Sequence, residues 1–405
     1  MNKDWLHTKL GDIAKITCGI AATPEYVDES VGVPFLSARN VQDGKLDLSK
    51  FMYIPKELHK KLTKNTKPKK GDVLLTRVGA GIGKAAFVDI DFEFSVYVSL
   101  TLIQCKGMLD GNFLTFLLNT NYYQYLANRD QFAGGGVQNL NVQMVKGYPV
   151  SIPPLPEQIK IAEILSTWDN AINTVQKLLS NSQQQKKALM QQVLTGKKRF
   201  AEFEGEWEEK RLSRLLKVTG GNAFKSESFA DTGVPLIKIS NIKTDFSVSV
   251  DSCVFHPYEQ EFAKFNVQYG DILIAMSGAT TGKVGRYFGE RLCYLNQRVG
   301  RFDLKKELAS PDFIFQILKL PYIQHEILID AVGGAQPNIS NKEIERIKIK
   351  APSLAEQQKI AAVLTTADQE IDNLRAQLNH LKQEKKALMQ QLLTGKRRVK
   401  VEEAA

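Results

Sequence analysis

The stretch Gly79-Ala80-Gly81-Ile82-Gly83-Lys84 carries the residue types of a nucleotide or phosphate loop. Its glycines would let backbone N–H groups close on an anion, and its lysine would meet the anion's charge. The chain tests this idea itself, because, of the glycines and the lysine, Gly278-Ala279-Thr280-Thr281-Gly282-Lys283 repeats only the first and last glycines and the lysine. The spacing is one residue short of the P-loop pattern. Ala85 or Val284 stands where Ser or Thr would bind magnesium, and the residues that follow pattern as strand rather than helix. The stretch therefore reads as a glycine-rich hairpin presenting Lys84 and Lys283, a placement that suits a nucleic-acid phosphate.

A second recurrent feature is Gly134-Gly135-Gly136-Val137-Gln138-Asn139-Leu140-Asn141, matched by Gly333-Gly334-Ala335-Gln336-Pro337-Asn338-Ile339-Ser340. The amides of Gln138, Asn139, Asn141, Gln336 and Asn338 could pair bidentately with adenine in a major groove. Asn also serves turns and caps, and recurrence just before each long helix speaks for a shared structural job. The run Lys56, Lys60, Lys61, Lys64, Lys67, Lys69 and Lys70, with Glu57 the acid among them, is either a phosphate-facing patch or a solvated face; the second copy has Glu259 and Glu261 there. Arg39, Arg77, Lys238, Arg286, Arg291 and Arg298 complete the candidate cations. Tyr97, Tyr122, Tyr123 and Tyr125 read as packing residues rather than base-stacking platforms.

Catalytic patterns find little support. The five histidines form no H-x-x-x-H pair, no G-x-S-x-G elbow occurs, and Ile152-Pro153-Pro154-Leu155 lacks the Asn or Asp and the aromatic residue of an aminomethyltransferase loop. The expectation is a non-catalytic chain with no metal site and no bound cofactor. Four cysteines without C-x-x-C spacing fit a reducing cytoplasm, and the N-terminus does not pattern as a signal peptide. No apolar run reaches membrane-spanning length. With 405 residues, 43% of them hydrophobic and 24% charged, several globular domains are expected. A net charge of +10 suits a polyanionic partner and does not by itself establish one.

Two long elements must position these motifs. Ile161, Leu165, Trp168, Ile172, Val175, Leu179, Ser182, Lys186, Leu189 and Val193 follow alternating steps of four and three. Ile360, Leu364, Ala367, Ile371, Leu374, Leu378, Leu381, Lys385, Leu388 and Leu392 do the same. That is a coiled-coil seam, and a helix of this length spans roughly 55–60 Å. Prolines precede each helix, and Gly196 and Gly395 followed by basic residues close them. Residues 1–150 and 200–350 repeat more weakly: Gly71–Leu75 resembles Gly270–Ile274, and Phe113–Leu118 resembles Phe313–Leu318. Short apolar runs (Asp72–Val78, Ala85–Val88, Asp271–Met276) predict strands, and Phe113–Ala127 and Phe313–Ile329 predict helices. The expected architecture is α+β: a first domain at 1–150, a helix within 151–199, a second domain at 200–350, a helix within 351–399 and a tail at 400–405. The helices are expected to pair as an antiparallel coiled coil between the domains. Lys186 and Lys385 interrupt the seam, where the coil should loosen or meet another subunit.

The arrangement resembles the specificity subunit of type I restriction–modification systems. The resemblance rests on the openings Pro153-Pro154-Leu155-Pro156-Glu157-Gln158 and Pro352-Ser353-Leu354-Ala355-Glu356-Gln357. It rests equally on the closings Leu189-Met190-Gln191-Gln192 to Arg199 and Leu388-Met389-Gln390-Gln391 to Arg398, and on Gly205-Glu206-Trp207. It implies two target recognition domains, each reading half of a split, asymmetric site in double-stranded DNA. It also implies a helical ruler that sets the spacer and docks two methyltransferase subunits, with up to two restriction subunits joining in host defence. S-adenosylmethionine, ATP and Mg would belong to those partners. The alternative reading is a coiled-coil adaptor without sequence-specific DNA binding.

Overall fold

The computed structural model describes residues 4–19, 24–42, 44–64, 67–130, 139–329 and 337–401. The chain forms two compact units, Met1–Gln176 with Ala376–Ala405, and Lys177–Arg375. Each unit is thus a globular domain with parts of both long helices.

In the first unit a four-stranded antiparallel sheet runs in the order Ala14–Cys18, Leu100–Cys105, Val73–Thr76, Ala85–Phe87. Val73–Thr76 is buried at every position, which explains its unbroken apolar run. One face of the sheet packs on Phe113, Leu114 and Leu117, and the same core takes in Ile161 and Leu165 of the first long helix and Leu392 of the second. A smaller sheet pairs Gly32–Leu36 antiparallel with Met52–Pro55 and parallel with Ser95–Val96. The second unit repeats this plan. Its sheet runs Leu216–Gly220, Val299–Leu304, Ile272–Ala275, Val284–Arg286, and Val234–Ile237 pairs parallel with Cys293–Leu295. The α+β expectation of mixed, mostly antiparallel sheets holds.

The predicted helices Phe113–Ala127 and Phe313–Ile329 are each two helices. Gly111–Leu118 breaks before Asn121–Asp130, and Pro311–Leu318 before Pro321–Ile329. In the second copy Pro321 cannot continue the helix before it. In the first, Asn119 turns its amide onto the main chain of Ala85, accepting from its N–H at 3.1 Å and donating to its carbonyl at 2.9 Å.

The long helices are Leu155–Val193 and Leu354–Leu392, each of 39 residues. Every seam position is buried or half-buried, Trp168, Leu179, Leu189, Leu374, Leu381 and Leu388 among the half-buried. Their pairing is antiparallel in both units. In the first, Glu157 binds Arg398 at 2.8 Å and Asp169 binds Lys385 at 2.5 Å, so one helix ascends as the other descends. In the second, Glu356 binds Arg199 at 2.7 Å, and Asp368 binds Lys186. The equivalent residues pair in each unit, so the register is the same in both. The seam lysines therefore do not loosen the coil, which corrects the first of the two outcomes expected there. Each reaches a carboxylate on the opposite helix, and a polar pair inside an apolar seam fixes register.

The helix openings are tied down as well. Gln158 donates to the carbonyls of Met108 and Pro153 at 2.9 and 2.8 Å and accepts from Asp110 N–H at 2.9 Å. Gln357 does the same with Leu308, Pro352 and Ser310. The Glu-Gln pair that opens each helix thus binds the other helix's tail with its Glu and its own domain with its Gln. Gly196 and Gly395 take positive φ just past the helix ends, a backbone state open to glycine.

Candidate nucleic-acid interface

In the first unit the glycine-rich stretch joins two antiparallel strands, Val73–Thr76 and Ala85–Phe87. Gly79 and Gly83 have φ of 92° and 85°, and Gly83 N–H closes on the Thr76 carbonyl at 2.9 Å. A Cβ on Gly83 would stand 2.6 Å from that of Ala127, so the hairpin lies flat on the helix behind it. The second unit repeats the turn, with Gly278 and Gly282 at 79° and 83°. In both units a strand follows the loop, Ala85–Phe87 and Val284–Arg286, whereas a phosphate loop leads into a helix N-terminus. The stretch is a hairpin, and Lys84 is exposed on it while Lys283 is half-buried.

The asparagine-bearing segment forms one structure with this hairpin. Asn139 bridges Val78, and Asn338 bridges Ser277, both antiparallel. Leu140 N–H donates to Arg77 carbonyl at 3.0 Å, and Ile339 N–H to Met276 carbonyl at 2.9 Å. A third segment joins from the other side. Arg77 N–H donates to Ser99 carbonyl at 2.9 Å, and Met276 N–H to Arg298 carbonyl at 2.9 Å. Ser99 Oγ in turn accepts from Ala38 N–H at 2.9 Å, which brings the turn carrying Arg39 alongside. Three stretches remote in sequence, 37–42, 77–84 and 97–99, so meet residues 139–141 on one surface.

Several predicted contacts are already engaged. Arg77 is buried, with Nε donating to Asn139 Oδ1 at 3.1 Å and to the Leu140 carbonyl at 3.2 Å, so it braces the segment rather than facing solvent. Asn141 is exposed and caps the short helix after it, accepting from Met144 N–H at 3.0 Å; Ser340 caps in the same way in the second unit. Arg286 is held by Asp312 and by the Gly270 carbonyl at 3.0 Å, against Phe288 and Phe315. Lys67 pairs with Glu93, and Lys70 with Asp89 at 2.9 Å and Asp91 at 3.5 Å. Of that run Lys60, Lys67 and Lys70 are paired with carboxylates, while Lys56, Lys61, Lys64 and Lys69 are exposed without an ion pair among the described residues. Gln138 and Gln336 lie outside the described residues.

Arg39, Lys84, Arg298 and Asn338 remain exposed, and Lys238 and Lys283 half-buried, all six without an ion pair among the described residues. Lys238 places its ammonium 5.2 Å from the Phe229 ring centre. In the first unit Arg39, Gln42, Tyr26, Phe35 and Tyr97 edge an open concavity of about 780 Å³. Tyr97, read from sequence as packing, is half-buried and edge-on to Phe35 at 5.7 Å, so it both packs and lines this concavity. In the second, Gln297, Arg298, Asn338 and Lys342 edge another of about 460 Å³. The surface is thus cationic, amide-bearing and partly aromatic, the composition that phosphate and base-edge contacts use. Among the described residues no three His, Cys, Asp or Glu side chains are placed to hold a metal ion.

The family model for the type I restriction modification DNA specificity domain matches residues 2–181 and again residues 204–383. The chain belongs to this specificity family. The MjaVIII specificity subunit of Methanocaldococcus jannaschii is 29% identical over 98% of this chain and 94% of its own length. The EcoKI specificity subunit of Escherichia coli K12 is 23% identical over 87% of this chain and 80% of its own. In fold the chain is similar to the S subunit of a type I system from M. genitalium, with a TM-score of 0.65, 17% identity and 96% of each chain covered. A specificity subunit of this family recognises DNA sequence, which sets aside the adaptor reading. The two matched segments each contain one copy of the surface described above.

Proposed function

We propose that the two domains of this specificity subunit read the two halves of a split, asymmetric DNA site, and that the paired helices set the spacer between them. The reading is carried by one observation: the same frame occurs twice in one chain with different side chains on its cationic surface. Identical copies would read a palindrome; differing copies read different halves. A 39-residue helix is about 58 Å long, between one and two turns of B-DNA.

The chemistry belongs to other chains in this proposal. Methyltransferase subunits, two of them, dock on the helices and carry S-adenosylmethionine, with adenine as the methylated base. Restriction subunits, where present, carry ATP and Mg. The assembly works in the cytoplasm. Among the described residues no helix is long and apolar enough to cross a membrane, which is consistent with that location.

The test removes one heptad from each helix, Thr174–Ser180 and Leu374–His380, which leaves both Lys–Asp pairs in place. Seven residues shorten a helix by about 10 Å, close to three base pairs. Mapping of methyladenine in DNA modified by the assembled complex is expected to show the same half-sites with a spacer about three base pairs shorter. Altered half-sites over an unchanged spacer would refute the ruler.

A further inference from the structure

Two copies of one backbone that read different DNA must agree where they hold themselves together and differ where they face bases. One three-residue turn meets both conditions. In the first unit, Tyr97 N–H donates to the Leu36 carbonyl at 2.8 Å and Leu100 N–H to Tyr97 carbonyl at 2.9 Å, while Ser99 carbonyl accepts from Arg77. In the second, Asn296 N–H donates to the Ile237 carbonyl at 3.1 Å and Val299 N–H to Asn296 carbonyl at 2.9 Å, while Arg298 carbonyl accepts from Met276. The main-chain bonds are the same three. The side chains are all different: Tyr97-Val98-Ser99 against Asn296-Gln297-Arg298.

The neighbouring turn behaves alike. Asn40 accepts from Ser37 N–H at 3.0 Å and donates to Asp47 carbonyl at 2.9 Å. Asn241 accepts from Lys238 N–H at 2.8 Å and donates to Ser249 carbonyl at 2.8 Å. Around this retained, buried asparagine, Ser37 is exchanged for Lys238, Arg39 for Ser240 and Gln42 for Lys243. The exposed arginine changes sides between the copies. In the first unit it is Arg39, with Ser99 across from it; in the second it is Arg298, with Ser240 at the place of Arg39. Burial does not explain the exchange, because both arginines are exposed and neither has an ion pair among the described residues. Arginine and glutamine are the side chains that pair bidentately with guanine and adenine edges.

We propose that these two turns are the base-reading elements, with Arg39 reading a guanine in the half-site of the first domain and Arg298 a guanine in the half-site of the second. This deepens the specificity-subunit reading above and rests on it. The experiment maps methylation by the chain assembled with its methyltransferase subunits, as wild type, Arg39→Ala and Arg298→Ala. Arg39→Ala is expected to relax one G·C position of one half-site, with discrimination there falling about tenfold or more. Arg298→Ala should relax one position of the other half-site. Both should leave the spacer unchanged. An unchanged motif overturns the proposal. So does a uniform loss of methylation with the motif intact, which marks a phosphate contact. Two variants that alter the same half-site overturn it as well. If Arg39→Ala abolishes methylation, Arg39→Gln decides: a motif altered at one position upholds the assignment, and inactivity again rejects it. A wild-type complex that methylates no split motif would instead refute the function on which the proposal rests.

Discussion

Lys319 caps its helix where the first unit has Asn119, and it shows how a buried charge is tolerated. Its ammonium lies 3.5 Å from the Asp368 carboxylate and 4.0 Å from the Phe315 ring centre. Burial pushes its pKa down to about 8; Asp368 opposes that shift, and Lys186 and Arg286 add to it. Asp368 is kept below the usual carboxylate range, because Lys319 and Lys186 outweigh the effect of its burial. The ordinary pKa of the lysine is 10.5, so between about 8 and 10.5 the unfolded chain binds more protons and stability rises with pH. Lys319→Met is therefore expected to stabilise the protein at pH 7 by about 1–2 kcal/mol, a gain that fades by pH 10. Thermal denaturation at the two pH values checks it; an equal gain at both would show that the charge carries no cost. Nothing in the sequence marks Lys319, because its environment is assembled from Phe315, Asp368 and Lys186, which are far apart along the chain. Arg77 escaped for the same reason: a lone arginine after a strand looks like a phosphate contact until Asn139 is seen to take its Nε.

The helices were the most legible elements. Their seam and its steps are a local signal, and so were the glycine closures. What each copy binds was not legible. Glu157 is 3% exposed, and its carboxylate is clasped by Arg398 through Nε and a terminal nitrogen. The Glu-Gln and terminal Arg motifs stand at opposite ends of the sequence repeat, and antiparallel pairing makes them neighbours. Glu157→Ala is expected to cost about 2 kcal/mol, less than a fully buried pair because Arg398 keeps contact with water. Denaturant unfolding with an unchanged m-value would measure it. Asp169 and Lys385 hold register from within the seam, so a double-mutant cycle on them should return a coupling of about 1 kcal/mol. A coupling of zero would make the pair incidental to register.

At the scale of the whole chain, the 54 lysines and arginines overstate the cations free to face DNA, because Lys67, Lys70, Arg199, Arg286 and Arg398 are committed to carboxylates. Binding of the assembled complex to its site should weaken with salt, with a slope set by the unpaired cations alone. Lys84→Ala is expected to make that slope shallower by about one, and Lys70→Ala to leave it unchanged. Titrations at several salt concentrations distinguish them; equal effects would return the lysine run to the interface. Duplication and fold class were readable because the repeat carries the same apolar pattern twice. The reading surface was not, because it is built from short turns whose meaning lies in how the copies differ. A turn pinned at both ends by main-chain bonds asks little of its side chains. Mutations there alter what is read and leave the folding free energy almost untouched. Lineages carrying this chain can therefore drift from one DNA motif to another through intermediates that all fold, like a lock whose wards change while its case does not.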